Sequence, residues 1–254
     1  MTLYTRDTLF DGDVICNQHV EGYRFSVDAV LAAHFHPPAK NYKILDLGCG
    51  CGVIGLICLY RWASLNIFLT GLELQDELYE LAKKNIKSNK YDDRYQLLQG
   101  DIRKSLELFP AESFDQIICN PPFFKKGSGR TSENDMVYKA RHQISGDIEA
   151  FLHGASKLVK NKKNCIFIYP ASELIDFVDK ARKFRLEPKR IQLVYNYPEG
   201  TNEARLALLQ CQKNGKSGVK VERPFYVYEA KNGSFHKEME KLYAPNLVND
   251  QGEE

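Results

Sequence analysis

Net charge is nearly absent from this sequence, in which 35 lysines and arginines against 33 aspartates and glutamates leave +2. A nucleic-acid role therefore cannot rest on total charge and needs local basic patches. Paired CxxC motifs are also missing. The seven cysteines are an odd number, and the closest two, Cys49 and Cys51, have no neighbouring His or Cys pair to complete a zinc site. No metal is expected, and the thiols read as reduced, buried side chains of an intracellular protein. Residues 1–13 carry charges and no apolar signal-peptide region. The most apolar stretch, residues 52–72, is broken by Arg61, Trp62 and Asn66, so no membrane span is expected and the cytoplasm is the expected compartment. Neither an internal repeat nor a linker is visible. What is present is an ordinary globular composition, 43% hydrophobic and 27% charged over 254 residues, enough for one large domain.

From Tyr42 the chain alternates. Strand-like runs at 42–47, 66–73, 95–101, 114–120 and 164–170 are separated by helical patterns from Val53, over 75–90, from Ile148 to Val159, and over 171–184. Continuous apolar strands alternating with helices predict an α/β fold, a mostly parallel sheet covered on both faces. Runs at 190–198 and 204–211 follow without room for a helix, which predicts an antiparallel edge hairpin. Residues 1–41 read as an N-terminal extension with a helix from Val27 to about Phe35, ended by Pro37 and Pro38, and residues 42–254 as the main domain.

Asp46-Leu47-Gly48-Cys49-Gly50-Cys51-Gly52 lies between the first of these strands and its helix, with Gly55 beyond. Glycines there allow a tight turn and a close ligand approach beside a helix N-terminus. From Gly50 the run also scans as the dinucleotide fingerprint G-x-G-x-x-G, a weak match by itself. Asp46, just before the loop, would repel a pyrophosphate but accept a cationic amine. Glu73 ends the second strand, where two carboxylate oxygens suit a ribose diol. Asp101 ends the third strand segment, where it can accept from an adenine amino group. Ammonium, ribose and adenine without phosphate describe S-adenosylmethionine.

Asp46-x-Gly48-x-Gly50-x-Gly52 resembles the cofactor loop of class I methyltransferases. Glu73, Asp101 and the corner Asn120-Pro121-Pro122-Phe123 fall where that family's later motifs fall. The resemblance implies a Rossmann-like, mostly parallel seven-stranded sheet. It also implies cofactor contacts at Asp46, Gly48, Cys49, Gly50, Gly52, Glu73, Leu74, Asp101, Ile102 and Asn120. The N-P-P-F corner narrows the likeness to enzymes that methylate an exocyclic amine or amide nitrogen. An adenine amino nitrogen is a poor nucleophile because its lone pair is delocalised into the ring. The Asn120 side-chain carbonyl and the Pro121 backbone carbonyl would accept its two hydrogens, and proline's fixed φ would pre-organise the corner. Pro122 completes that corner. Phe123 would stack on a flipped-out base, a contact of about 1–3 kcal/mol.

Residues 124–143 form a long connection that carries Lys125, Lys126, Arg130, Lys139 and Arg141. Further basic clusters at 157–163, 180–190 and 213–223 suggest one electropositive side, suited to a phosphate backbone. On these grounds Lys125, Lys126 and Arg130, with Phe123, are expected to bind substrate. Residues 9–35 resemble the opening of the bacterial tRNA adenine-N6 methyltransferases that modify the adenosine 3′ of the anticodon in a valine tRNA. In that family the segment at 22–29 folds over the cofactor site, which implies Arg24, Phe25 and Asp28 as cofactor neighbours. Glu203-Ala204-Arg205-Leu206 and residues 224–243 resemble the same family, and Cys51 replaces its more usual Thr or Ser. The expected partner is a tRNA, and the expected state a monomer. Three alternatives stand beside this reading. A protein-glutamine N5 methyltransferase shares the corner but carries an N-terminal helical domain and usually ends the corner in Tyr. An rRNA guanine-N2 methyltransferase is closer. A non-catalytic methyltransferase-like RNA-binding subunit would not need Asp46, Glu73 and Asn120 intact.

Overall fold

The computed structural model describes residues 4–20, 26–122, 148–199 and 203–246. Tyr4–Leu9 (β1) and Val14–His19 (β2) pair antiparallel as a separate hairpin, a feature the sequence reading did not anticipate within the N-terminal extension. Val27–Phe35 (α1) follows as expected, with the Ser26 hydroxyl capping the N–H of Asp28. Then come Lys43–Leu47 (β3), Val53–Arg61 (α2), Phe68–Glu73 (β4), Asp76–Ser88 (α3) and Tyr95–Gln99 (β5). Ser105–Leu108 (α4), Phe114–Cys119 (β6), Ile148–Leu158 (α5), Val159–Pro170 (β7) and Leu174–Lys183 (α6) continue the alternation. Leu186–Tyr195 (β8), Leu206–Lys213 (β9), the two short strands Lys220–Val221 (β10) and Phe225–Tyr226 (β11), and Lys237–Tyr243 (α7) complete the described chain.

The large sheet runs β10-β8-β9-β7-β6-β3-β4-β5, with β11 also on β8. The strands from β5 through β8 make the seven expected from the resemblance. Among the described residues β10 and β11 raise the total to nine by adding two-residue rungs parallel to β8. β9 runs antiparallel to both β7 and β8, which is the anticipated edge hairpin. β7 starts earlier than the apolar run suggested, because residues 159–163 extend it beyond the buried part.

Alternate residues of each central strand serve opposite faces. Ile44, Leu69, Ile118, Ile166 and Leu208 meet α1, α2 and the hairpin, whereas Leu45, Ile117, Phe167 and Leu209 meet α5 and α6. The hairpin residues Leu9, Phe10, Val14 and Cys16 belong to the first layer, so the N-terminal residues share the core of the main domain. Strand order proceeds outward from β3 to β4 and β5 on one side, and from β6 to β7 on the other. Such a reversal leaves a crevice at the carboxyl ends of the two central strands, the usual ligand position in open α/β sheets.

Candidate functional site

The glycine loop sits at that reversal. Gly48, Gly50 and Gly52 all adopt left-handed backbone, with φ of 75°, 57° and 80°, a region a side chain enters only under strain. A Cβ on Gly48 would stand 3.0 Å from the Phe151 ring. The loop is tied to β4: the N–H groups of Gly48 and Cys49 both donate to the Leu72 carbonyl, at 2.9 and 3.0 Å. Gly52 then opens α2, whose residues Val53–Leu59 are all buried.

Glu73, at the end of β4, is 6% exposed. Its Oε2 accepts from the Gly50 N–H at 2.8 Å, and its Oε1 accepts from the N–H groups of Leu74 and Gln75 at 2.9 and 2.8 Å. Oε2 therefore holds the glycine loop and Oε1 the turn into α3, and on the carboxylate count of about four acceptor sites one lobe is left, on Oε2. Burial raises the Glu73 pKa, against the lowering effect of those three N–H groups. The Leu74 side chain beside it is exposed.

Asp46 is 0% exposed. Its Oδ2 accepts from the Gly55 N–H and from the Tyr95 hydroxyl, both at 3.3 Å. Among the described residues its Oδ1, also buried, has no hydrogen-bond partner. Burial pushes the Asp46 carboxyl up to about 7; the Tyr95 and Gly55 bonds pull it down, and the nearby Glu73 adds to the rise. An unpartnered carboxylate oxygen in a dry site calls for a cation or a strong donor. Tyr95 was not foreseen. It occupies the first position of β5, and its ring fills the space left by a glycine: a Cβ on Gly55 would lie 2.3 Å from it.

Asp101 has a partner within the chain. Its Oδ1 and Oδ2 both accept from the Arg103 side chain, and Oδ1 also accepts from the Arg103 backbone N–H at 2.9 Å. These bonds, that from the Arg103 side chain first, hold its carboxyl below the usual range. Spacing alone left Asp101 open for an adenine amino group; the fold gives it an intrachain cation two residues away. Ile102 follows in a short 3₁₀ turn, packed against Gly154 of α5. Asp28, buried at the start of α1, is likewise engaged, its Oδ1 accepting from Arg205 at 3.2 Å. Cys49 and Cys51 are both buried, and burial raises the Cys49 thiol well above its usual value.

Asn120 follows β6 directly and is half-buried; Pro121 is buried and Pro122 half-buried. β6 pairs with β3, Ile118 lying opposite Asp46, so Asn120 stands at the carboxyl edge one strand from Asp46. Arg24, Phe25, Phe123, Lys125, Lys126 and Arg130 lie outside the described residues. The three other basic clusters lie on the β7–β8 side of the sheet, from the amino-terminal ends of these strands to their middle: residues 159–163 start β7, Lys213 ends β9, and Arg190 lies midway along β8. Many of their charges are matched, as in Lys160–Asp115, Lys180–Asp176, Arg182–Glu187, Lys213–Glu112 and Arg190–Glu222. Among the described residues no helix is long and apolar enough to cross a membrane.

Comparison with known proteins follows the same lines. A Vibrio campbellii protein named tRNA1(Val) (adenine(37)-N6)-methyltransferase is 32% identical over 160 residues, 63% of this chain and 64% of that one. A Flavobacterium psychrophilum protein of the same name is 29% identical over 216 residues, 85% of this chain and 88% of its own. In the first of these the matched stretch spans less than two thirds of the relative. Among solved structures, a "predicted O-methyltransferase" from Agrobacterium tumefaciens superposes with a TM-score of 0.69 at 20% identity, covering 87% of this chain and all of that one. P. horikoshii TYW2 in complex with MeSAdo gives 0.57 at 16% identity over 85% and 73%. These likenesses show the fold of the class I methyltransferases. Residues 26–163 match the methyltransferase small domain, and with the glycine loop, Glu73 and the β6 corner all inside that span, the chain belongs to the methyltransferase small domain family.

Proposed function

We propose that this chain methylates N6 of an adenine in tRNA, the adenosine 3′ of the anticodon in a valine tRNA, with S-adenosylmethionine as methyl donor. The observation that carries the reading is Asn120-Pro121-Pro122 at the carboxyl edge of β6, one strand from the buried Asp46. The names of the relatives supply the RNA and the position. The residues present fit the cofactor: Asp46 offers a buried, unpartnered oxygen for an ammonium group, and Glu73 Oε2 keeps an acceptor lobe for a ribose hydroxyl. Asp101 would share its carboxylate between Arg103 and an adenine amino group.

When bound, S-adenosylmethionine supplies an electrophilic methyl on a cationic sulfur. The protein's work is alignment. The Asn120 side-chain carbonyl and the Pro121 backbone carbonyl accept the two amine hydrogens, turning the nitrogen lone pair toward the methyl carbon. Holding the reacting atoms about 3–3.5 Å apart removes much of the entropic barrier. These carbonyls would hold the amine while it takes the cofactor's methyl group, and the proton the methylated nitrogen then loses would pass to solvent, so the chain needs no strong base there. Phe123 provides the stacking platform, Lys125, Lys126 and Arg130 the phosphate contacts, and Arg24 and Phe25 cover the cofactor; the protein works as a cytoplasmic monomer. Labelled S-adenosylmethionine, total tRNA and nucleoside analysis test this. N6-methyladenosine is expected, and label only in N2-methylguanosine or in protein overturns it.

A further inference from the structure

The glycine loop is fixed from two sides. Glu73 holds Gly50 from β4; on the other side stands Asn85, 0% exposed on the inner face of α3. Its Oδ1 accepts from the backbone N–H and the side-chain Nδ2 of Asn17, at 2.7 and 2.8 Å. Its Nδ2 donates to the Asn17 carbonyl at 3.0 Å and to the Cys51 carbonyl at 2.9 Å. One amide thus uses all its hydrogen-bonding capacity to join β2 of the N-terminal hairpin to the loop between Gly50 and Gly52. A second contact runs in parallel, since the thiols of Cys16 on β2 and Cys51 approach to 3.9 Å. One turn further along α3, Asn89 clasps the same strand: its Oδ1 accepts from the Ile15 N–H at 2.9 Å and its Nδ2 donates to the Ile15 carbonyl at 2.7 Å. Asn89 also donates to the Asn85 carbonyl.

We propose that Asn85 is a positioning residue for the cofactor loop, holding the Cys51 carbonyl in place while its own amide is fixed by Asn17 of the N-terminal hairpin. The proposal rests on the reading of that loop as the S-adenosylmethionine site. Three left-handed glycines give the loop little conformational preference of its own, so its shape has to be imposed by outside bonds. Removing the Asn85 amide leaves the Cys51 carbonyl and the Asn17 N–H buried without partners, and the loop and the strand can then relax independently. Asn89 provides the internal comparison: it anchors the hairpin through the same pair of bonds but none of its bonds reaches the loop.

Calorimetric titration of S-adenosylmethionine into wild-type, Asn85→Ala and Asn89→Ala proteins tests this, alongside urea unfolding of each. The expected result is a Kd raised at least tenfold in Asn85→Ala and less than twofold in Asn89→Ala, with both variants losing stability. A second measurement needs no variant: saturating S-adenosylmethionine slows hydrogen exchange of the Asn17 amide in the wild-type protein. An Asn85→Ala affinity within twofold of wild type, an equal loss in both variants, or an Asn17 amide indifferent to the cofactor would each overturn the proposal. Absence of cofactor binding by the wild-type protein would overturn the cofactor reading itself, and this inference with it.

Discussion

Replacing Tyr95 by Phe removes one oxygen atom and leaves the ring that fills the space beside Gly55. What is lost is the hydroxyl, which lies 3.3 Å from Asp46 Oδ2 and 3.4 Å from the Gly52 carbonyl. A hydrogen bond to a charged partner contributes about 1.5–3 kcal/mol; the one to Asp46 is longer than the usual O–H···O range, which ends near 3.0 Å, so about 1.5 kcal/mol applies. Removing a bond that favours the ionised form raises the pKa by about one unit, from about 7 to about 8. If an ammonium group of the cofactor needs Asp46 ionised, its affinity follows the ionised fraction. The ratio of Kd in Tyr95→Phe to Kd in wild type should then approach about tenfold below pH 6.5, be about threefold at pH 7.5, and close to about unity by pH 9. Taking the ratio at each pH cancels titration of the ligand. Calorimetry across that range is the assay. A ratio that does not change with pH would refute the coupling of Tyr95 to Asp46 ionisation, even if the variant binds weakly.

Four other outcomes are expected. Asn120→Ala should abolish methyl transfer to tRNA while leaving the calorimetric Kd for S-adenosylmethionine within a few-fold of wild type; equal loss of both would mean that the corner is structural. Gly55→Ala sets a Cβ 2.3 Å from the Tyr95 ring and should lower stability by about 1–3 kcal/mol through overpacking, read as a shifted urea midpoint. Arg61 donates to His34 Nε2, to Asn246 Oδ1 and to the carbonyls of Leu242 and Ala244, and lies 4.4 Å over the Phe10 ring. Arg61→Ala should therefore loosen the C-terminal helix from the hairpin, with faster amide exchange in α7. His34 accepts that bond as a neutral ring donating to the Val30 carbonyl, and burial lowers its pKa from 6.5 to about 4. Because the folded pKa is depressed, its contribution is fully present above pH 6.5 and is lost as pH falls toward 4, on the order of 3 kcal/mol. Asp46, whose folded pKa is raised, works in the opposite sense: its burial costs most above pH 7 and is relieved on acidification. His34→Gln should accordingly lose less stability than wild type between pH 7 and pH 4.5, measured by urea unfolding.

Several parts of this protein follow from local chemistry that is legible along the chain. The apolar runs of the parallel strands had to be buried on both faces, and a turn carrying Gly48, Gly50 and Gly52 had to be left-handed. The amphipathic pattern of α3 and α5 named the residues that face the core, and Asn120-Pro121-Pro122 had to end β6. The hairpin strands of the N-terminus escaped notice because β1 reads as mixed polar and apolar and owes its place to cross-strand pairing with β2. Three things were decided only in three dimensions. Asn85 continues the apolar spacing of Leu78, Leu81 and Ala82 on α3, and only the approach of β2 and the Cys51 carbonyl gives that buried amide its partners. Tyr95 meets Asp46 across 49 residues because β4 brings β3 and β5 to one layer. The basic clusters look alike along the chain, yet strand order carries them to the β7–β8 side of the sheet and sets acids beside them. Hydrophobic period and turn chemistry are local and legible in sequence; the partner of a buried polar group depends on which distant backbone arrives next to it.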